Sequence, residues 1–199
     1  VSWVPRGYTL FQGCTSLKSI VVAEGNPVCD SREGCNAIVK TETNSLIAGC
    51  KATIIPESVT KIKEHAFRDC TSLETIIIPK SVTEIEECAF NNCTSLESIT
   101  IPESVTVIDE NVFSNCTSLK SITITESVTK IGKSAFSGCT SLESITIPES
   151  VTKIGELAFE GCTSLKSIVI PKLVTDDIST VFRGCASLES IVVAENNPR

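Results

Sequence analysis

The chain has 199 residues, 41% hydrophobic and 21% charged, with 17 Lys and Arg against 24 Asp and Glu and a formal net charge of −7. That acidic balance argues against nucleic acid, whose sequence-independent binders carry a net basic face. The apolar content argues against disorder, and no apolar run approaches the ~18 residues of a membrane span, so no membrane insertion is expected. Seven Phe, one Trp, one Tyr and no Met leave few anchors for an aromatic-lined ligand pocket.

Ser2 and Trp3 fall in register with Ser81 and Val82, so the chain is expected to open within a repeat. Val4-Pro5-Arg6-Gly7 fits that register and reads as native sequence rather than a tag remnant. A first unit runs from Phe11 and Gly13-Cys14 through Leu17-x-x-Ile20-x-Val22. Phe11 precedes Phe67 by 56 residues, ten more than two units of 23, and the excess falls between Ala23 and Pro56. Residues 25–52 therefore read as a lengthened repeat. Its apolar runs Ile38-Val39 and Leu46-Ile47-Ala48 flank a polar turn at Thr41 to Asn44, which suggests an inserted hairpin.

From there the period is regular. Cys70, Cys93, Cys116, Cys139, Cys162 and Cys185 recur every 23 residues, and so do Phe67, Phe90, Phe113, Phe136, Phe159 and Phe182. Self-similarity at this length marks stacked supersecondary units rather than an ordinary domain. Within a unit, Leu73-x-x-Ile76-x-Ile78 alternates like a strand with Leu, Ile and Ile inward. Val82-x-x-Ile85 follows a turn at Pro79-Lys80, and Ala89-Phe90 closes the coil. One unit cannot bury these faces alone, whereas stacked neighbours make continuous apolar ladders.

Two columns carry turn chemistry. The residue before each repeat Cys is Gly13, Asp69, Asn92, Asn115, Gly138, Gly161 or Gly184, which are the types that tolerate a left-handed backbone. That also accounts for the glycosylation sequons Asn92-Cys-Thr94 and Asn115-Cys-Thr117 as by-products of the turn. Ser58, Ser81, Ser104, Ser127 and Ser150 place a hydroxyl where corner backbone groups need a partner. The last unit departs at Leu173 and at Asp177, which displaces Ile178 by one place. Asp177 is expected to turn to solvent, since two adjacent carboxylates are few ligands for a hard cation. The tail from Gly184-Cys185 to Pro198 nearly duplicates Gly13-Cys14 to Pro27, so both ends read as cuts in a longer array.

The phrase Leu-x-x-Ile-x-Ile-Pro-x-Ser-Val-Thr-x-Ile-Gly-x-x-Ala-Phe-x-x-Cys, clearest from Leu142 to Cys162, resembles the BspA-like leucine-rich repeats of bacterial and protozoan surface proteins. The Asn26-Pro-x-x-Asp30-Ser-Arg32 insertion, with Leu46 to Cys50, resembles a variant unit of the same family. The resemblance covers nearly the whole chain, residues 1–199 as one solenoid and fragment of a longer array. It implies an α/β repeat solenoid, mostly β: a curved, right-handed leucine-rich repeat array with its Leu-x-x-Ile-x-Ile strands on the concave side. It further implies an extracellular or cell-surface, adhesin-like protein whose partner is a host or neighbouring-cell surface or matrix protein.

Eleven Cys cannot all pair internally. The evenly spaced ones are expected to be small buried hydrophobes. Cys29 and Cys35 close a short polar loop, and the composition leaves open whether an oxidising compartment bridges them. Cys88 shares a variable column with His65, Asn111 and Ser134 and is expected near the surface. No Cys or His spacing suits zinc, the single His has only the adjacent Glu64 as a carboxylate that could orient it, and Gly132-Lys133-Ser134 lacks the first Gly of a phosphate loop. No catalytic constellation, cofactor or metal is expected.

The outward strand positions form lanes. One carries Glu74, Glu97, Lys120, Glu143 and Lys166, the next is Ser and Thr, and the third carries Ile77, Thr100, Thr123, Thr146 and Val169. These ten charged, Thr and apolar positions are the candidate protein-binding face. The near-identity of the lanes from Leu96 to Ile147 favours an alternative, a structural spacer, because a specific binding surface varies and concentrates anchors. An ice-binding array of Ser-Ile-Thr strands is weaker, since Val169, Val192 and the charged lane interrupt it.

Overall fold

The computed structural model describes residues 10, 11 and 13–194. The register read for Ser2 to Gly7 and the end of the duplicated tail, Glu195 to Pro198, lie outside them. In chain order the strands are β1 (Cys29–Asp30), β2 (Ile38–Lys40), β3 (Ser45–Ala48), β4 (Lys61–Ile62), β5 (Glu84–Ile85), β6 (Ser98–Thr100), β7 (Val107–Ile108), β8 (Ser121–Thr123), β9 (Lys130–Ile131), β10 (Lys153–Ile154), β11 (Ser167–Ile170) and β12 (Ser190–Val193). A 3-10 turn at Arg32–Gly34 is the only helical element among the described residues. The molecule is a mostly-β solenoid of about six regular coils with 23-residue spacing, preceded by a first coil and the lengthened one.

Each coil has three sides, because the sequence supplies three kinds of backbone contact to its neighbours. On the first side, the Leu-x-x-Ile-x-Ile segments pair in parallel with partners 23 apart, as Ile99 with Ile122 and Ile168 with Ile191. On the second side, short parallel strands stack Leu46, Ile62 and Ile85, then Ile108, Ile131 and Ile154. The third side is the Ala-Phe-x-x-Cys corner. Its N–H groups donate to the next coil three at a time: Cys88 to Glu110 at 3.0 Å, Phe90 to Val112 at 3.0 Å and Asn92 to Ser114 at 2.8 Å. The first side pairs less completely than its pattern suggests, since full ladders join only β6 to β8 and β11 to β12, with a single bridge from Ser144 to Ser167. Alternation there follows from burying Leu, Ile and Ile, which needs an extended backbone but not a hydrogen bond at every residue.

The core is a set of columns. Leu96, Ile101, Phe113, Cys116 and Leu119 are fully buried, and the same positions repeat in neighbouring coils. Phe67, Phe90, Phe113, Phe136, Phe159 and Phe182 form one stack, with ring centroids 5.0 to 5.7 Å apart and interplanar angles of 5° to 11°. The repeat Cys is more than a small hydrophobe. Each thiol from Cys93 to Cys185 donates to the carbonyl of the Phe in the preceding coil, at 3.1 to 3.3 Å. Ser104, Ser127 and Ser150 likewise donate to the carbonyls of Val82, Val105 and Val128.

The column before Cys is left-handed as its residue types predict, with φ of 60° at Asp69 and Asn92 and 74° at Gly138. A second left-handed column was not foreseen: His65, Cys88, Asn111, Ser134 and Leu157 all have φ between 51° and 59°. The corner bonds hold it there, since the N–H groups of His65, Cys88, Asn111 and Ser134 each reach a carbonyl of the next coil. An L-residue in this region costs on the order of 1 kcal/mol, which the bond offsets. The same geometry corrects the surface reading of Cys88, whose side chain folds under the corner and is only 8% exposed.

The lengthened repeat is built differently from a unit with ten residues added. β1, β2 and β3 run antiparallel in sequence, and β3 then joins β4 in parallel with Leu46 opposite Ile62, sixteen residues on rather than 23. A hairpin has been added and a Phe corner removed. Gly49 stands where the ring would be: its N–H donates to the Ala66 carbonyl at 2.8 Å, and a Cβ there would lie inside the Phe67 ring. The polar motif pins the hairpin. Asn26 Oδ1 accepts from the N–H groups of Val28 and Cys29. Arg32 makes a bidentate pair with Asp30, 2.8 Å on each arm, and donates to Asn44 Oδ1 at 2.8 Å. Cys29 and Cys35 are both unbridged and buried, because β1 turns Cys29 toward Ile20 and Ile47 while the 3-10 turn carries Cys35 to Val39 and Leu46 in the main core.

Replacing Gly49 by Ala must displace the Phe67 ring, so thermal unfolding of Gly49→Ala should show a loss of about 1–3 kcal/mol. Alkali should also weaken the fold. Burial pushes the Cys116 and Cys162 thiols up from 9.0 to about 12. The unfolded chain thus releases these protons first. Stability should be flat below about pH 8, fall as pH rises through 9 toward 12 by up to about 1.4 kcal/mol per unit per buried thiol, and fall less steeply in Cys116→Ala.

Candidate protein-binding face

The first side leaves every second residue outward, and its extended backbone fixes where these side chains stand. Glu74, Glu97, Lys120, Glu143 and Lys166 occupy one lane of successive coils, and all five are exposed. Ile77, Thr100, Thr123, Thr146 and Val169 occupy the lane three residues on, also exposed, with Ile77 at 86% and Val169 at 51%. The ten positions singled out in the sequence therefore lie together on one side of the solenoid. Between the two lanes stands the Ser/Thr row, Thr75, Ser98, Ser121, Ser144 and Ser167, which is exposed as well.

The charged lane pairs along the array. Lys120 Nζ lies 3.0 Å from Glu97 Oε2, and Lys166 Nζ lies 3.5 Å from Glu143 Oε2. Glu74 lies on the coil before Glu97, whose N–H donates to the Glu74 carbonyl at 3.1 Å. The second side repeats the device with Lys61 and Glu84 at 2.8 Å and Lys63 and Glu86 at 2.5 Å. These are pairs between rungs of a parallel stack, and high exposure holds each to a fraction of a kcal/mol.

The sequence reading missed one member of the apolar lane. Ile54 is 73% exposed and sits 23 residues before Ile77, in the same lane of the lengthened coil. Counting back one period from Ile77 would have found it. Val21 is 79% exposed in the equivalent position of the first coil, but the insertion comes between, because the Ile54 N–H donates to the Cys35 carbonyl at 3.0 Å and the Val22 N–H to Ser31 Oγ at 2.9 Å. A shallow depression lined by Lys51, Ala52, Ser72, Glu74, Thr75 and Ser95 borders the lane.

No group of three His, Cys, Asp or Glu side chains among the described residues is placed to hold a metal ion, and no described helix is long and apolar enough to cross a membrane. His65 is half-buried at the left-handed corner, with Nδ1 3.5 Å from Arg68. Gly132 of the phosphate-loop look-alike packs against the backbone of Asp109 and Glu110, and Lys133 pairs with Glu156 at 3.5 Å, so both serve the stack. Asp177 is exposed and accepts from the N–H and Oγ of Ser179, while Asp176 lies 3.8 Å from Lys153.

The BspA type leucine-rich repeat pattern matches residues 45–140 and 113–198, in six copies. Among solved structures, a leucine-rich repeat protein of T. pallidum is 30% identical, with 77% of each chain covered and a TM-score of 0.67. One from Bacteroides ovatus is 33% identical, covering 86% of this chain and 46% of that one, with a TM-score of 0.68. A leucine-rich cell surface protein of Faecalibacterium prausnitzii is 29% identical over 92% of this chain and 44% of that one, with a TM-score of 0.61. The chain thus spans less than half of the latter two proteins. No curated protein matches it.

A double-mutant cycle on Glu97 and Lys120 should give a coupling below about 1 kcal/mol that vanishes in 1 M salt, measured by chemical unfolding.

Proposed function

The chain belongs to the BspA-type leucine-rich repeat family, and from that premise we propose that it is a non-enzymatic protein-binding module of a cell-surface or secreted, adhesin-like protein. Its partner is a host or neighbouring-cell surface or matrix protein, docked on the first side, which the family resemblance makes concave. The observation that carries this reading is the continuous exposed lane from Ile54 and Ile77 through Thr100, Thr123 and Thr146 to Val169. Apolar and Thr side chains there are held rigid by a backbone whose buried faces are already used in stacking. Binding on such a surface costs little ordering entropy. A surface location accords with that of the Faecalibacterium relative, a leucine-rich cell surface protein.

The near-identity of the coils from Leu96 to Ile147 favours a second reading, a structural spacer in a long surface array. The two are separated by measuring binding of the chain to intact host cells and to matrix proteins, beside a variant with Glu97→Lys, Lys120→Glu and Glu143→Lys. An adhesin-like module should bind saturably, with the variant at least tenfold weaker. Absence of binding by both proteins would leave the spacer, and equal binding by both would move the contact off this face.

A further inference from the structure

Seven coils carry a leucine where the first side begins, from Leu17 and Leu73 to Leu188, and the lengthened coil alone carries Cys50. The Cys50 thiol donates to the Asn36 carbonyl at 3.5 Å and belongs to the smaller apolar cluster. Beside it lies a small cavity lined by three thiols, Cys14, Cys50 and Cys70, together with Phe11, Gly49 and Asp69. The cavity exists because this coil lacks its Phe corner, so the corner of the first coil meets that of the third directly. Ser72 Oγ donates across the gap to the Thr15 carbonyl at 2.9 Å.

The three thiols are not alike. Cys14 is exposed, whereas Cys50 is buried and Cys70 nearly so. Later column thiols lean toward the preceding coil, where a Phe carbonyl receives them at 3.1 to 3.3 Å. Cys70 leans the same way but finds no Phe, only the Gly49 carbonyl at a loose 3.7 Å. The preceding corner on that side belongs to Cys14. Cys70 therefore shares its cavity with the exposed thiol of Cys14, the equivalent cysteine of the first coil.

We propose that Cys14 and Cys70 form a thiol–disulfide exchange site for low-molecular-weight disulfides, closing as an internal Cys14–Cys70 bond. Cys14 thiolate attacks one sulfur of the small disulfide, which leaves a mixed disulfide on Cys14 and expels one small thiolate. Cys70 then gives up its proton to solvent and attacks the Cys14 sulfur, forming the internal bond and expelling the second small thiolate. The small disulfide takes up the two electrons. Burial, and then the neighbouring Cys50 and Asp69, push the Cys70 thiol up to about 12. The second step is consequently the slow one and accelerates with pH. The bond ties the first coil, whose Ile20 belongs to the smaller apolar cluster, to the main stack.

The test is to incubate the reduced full chain with oxidised glutathione at pH 8, count thiols under denaturing conditions and map peptides. The count should fall by two from eleven, with Cys14 and Cys70 in one linked peptide and no glutathione retained. Cys14→Ser should keep all its thiols, and Cys70→Ser should hold one glutathione on Cys14. Retention of glutathione on Cys14 of the wild-type chain, a bond from Cys14 to Cys50, chains joined through Cys14, or an unchanged thiol count would each overturn the assignment.

Discussion

Stacking of identical corners is the constraint on which the rest of the molecule depends. A ring such as Phe113 is buried only because Phe90 and Phe136 lie 5.5 and 5.6 Å on either side. The corner around it is chemically awkward, since it contains two left-handed residues and turns its carbonyls inward. Three devices make it tolerable. The N–H groups at alternate positions bond to the next coil, the Cys N–H returns to the Phe carbonyl of its own coil, and the Cys thiol reaches the Phe carbonyl of the coil before. That thiol must stay protonated to donate, and burial keeps it so. The stability of one coil is thus inseparable from that of its neighbours, as in any one-dimensional stack.

Where the stack ends, something must replace the missing ring. At the lengthened coil the replacement is backbone: Gly49 packs so close to the Phe67 ring that a Cβ would overlap it, which only a residue without Cβ can do. The glycine is there for space, unlike Gly138 or Gly184, which serve a positive φ. The hairpin that accompanies the change is fastened by polar contacts as well as by the small apolar cluster of Cys29, Ile38, Ile47 and Ala48. The Arg32 pairing with Asp30 and its bond to Asn44 do for the insertion what the Phe column does elsewhere. The arginine also draws the Asp30 carboxyl below its ordinary value.

Much of this was legible in the chain, because a period of 23 repeated over six coils averages out local ambiguity. The Cys and Phe columns, the left-handed turn before Cys and the outward lanes all followed from spacing and residue type. What escaped was hidden by two kinds of masking. Counting from Phe11 to Phe67 reports only a net excess of ten residues, so a hairpin gained and a corner lost look like a simple insertion, and Ile54 drops out of its lane. The second left-handed column is occupied by His65, Cys88, Asn111, Ser134 and Leu157, whose dissimilar side chains suggest an unconstrained surface. The constraint lies in the backbone bond, which residue type does not report. The pairing of Cys29 and Cys35 stayed open in the sequence for a related reason, since proximity in sequence says nothing about which side of a hairpin each thiol faces.

These findings divide the surface into parts that can change and parts that cannot. Ser104, Cys116 and Asn115 each support the scaffold through a hydroxyl, a thiol or a left-handed backbone, and a substitution there disturbs the contact with the adjoining coil. Thr100, Thr123 and Thr146 support nothing beyond their own extended backbone, because the buried residues on either side of each, such as Ile99 and Ile101, already fix the strand. The outward lane can therefore be altered residue by residue at small cost in stability and without refolding the array. That separation also explains why one lane accommodates both an isoleucine at 86% exposure and threonines: the side chain at this position takes no part in the buried stack, so packing sets no demand on its shape or polarity.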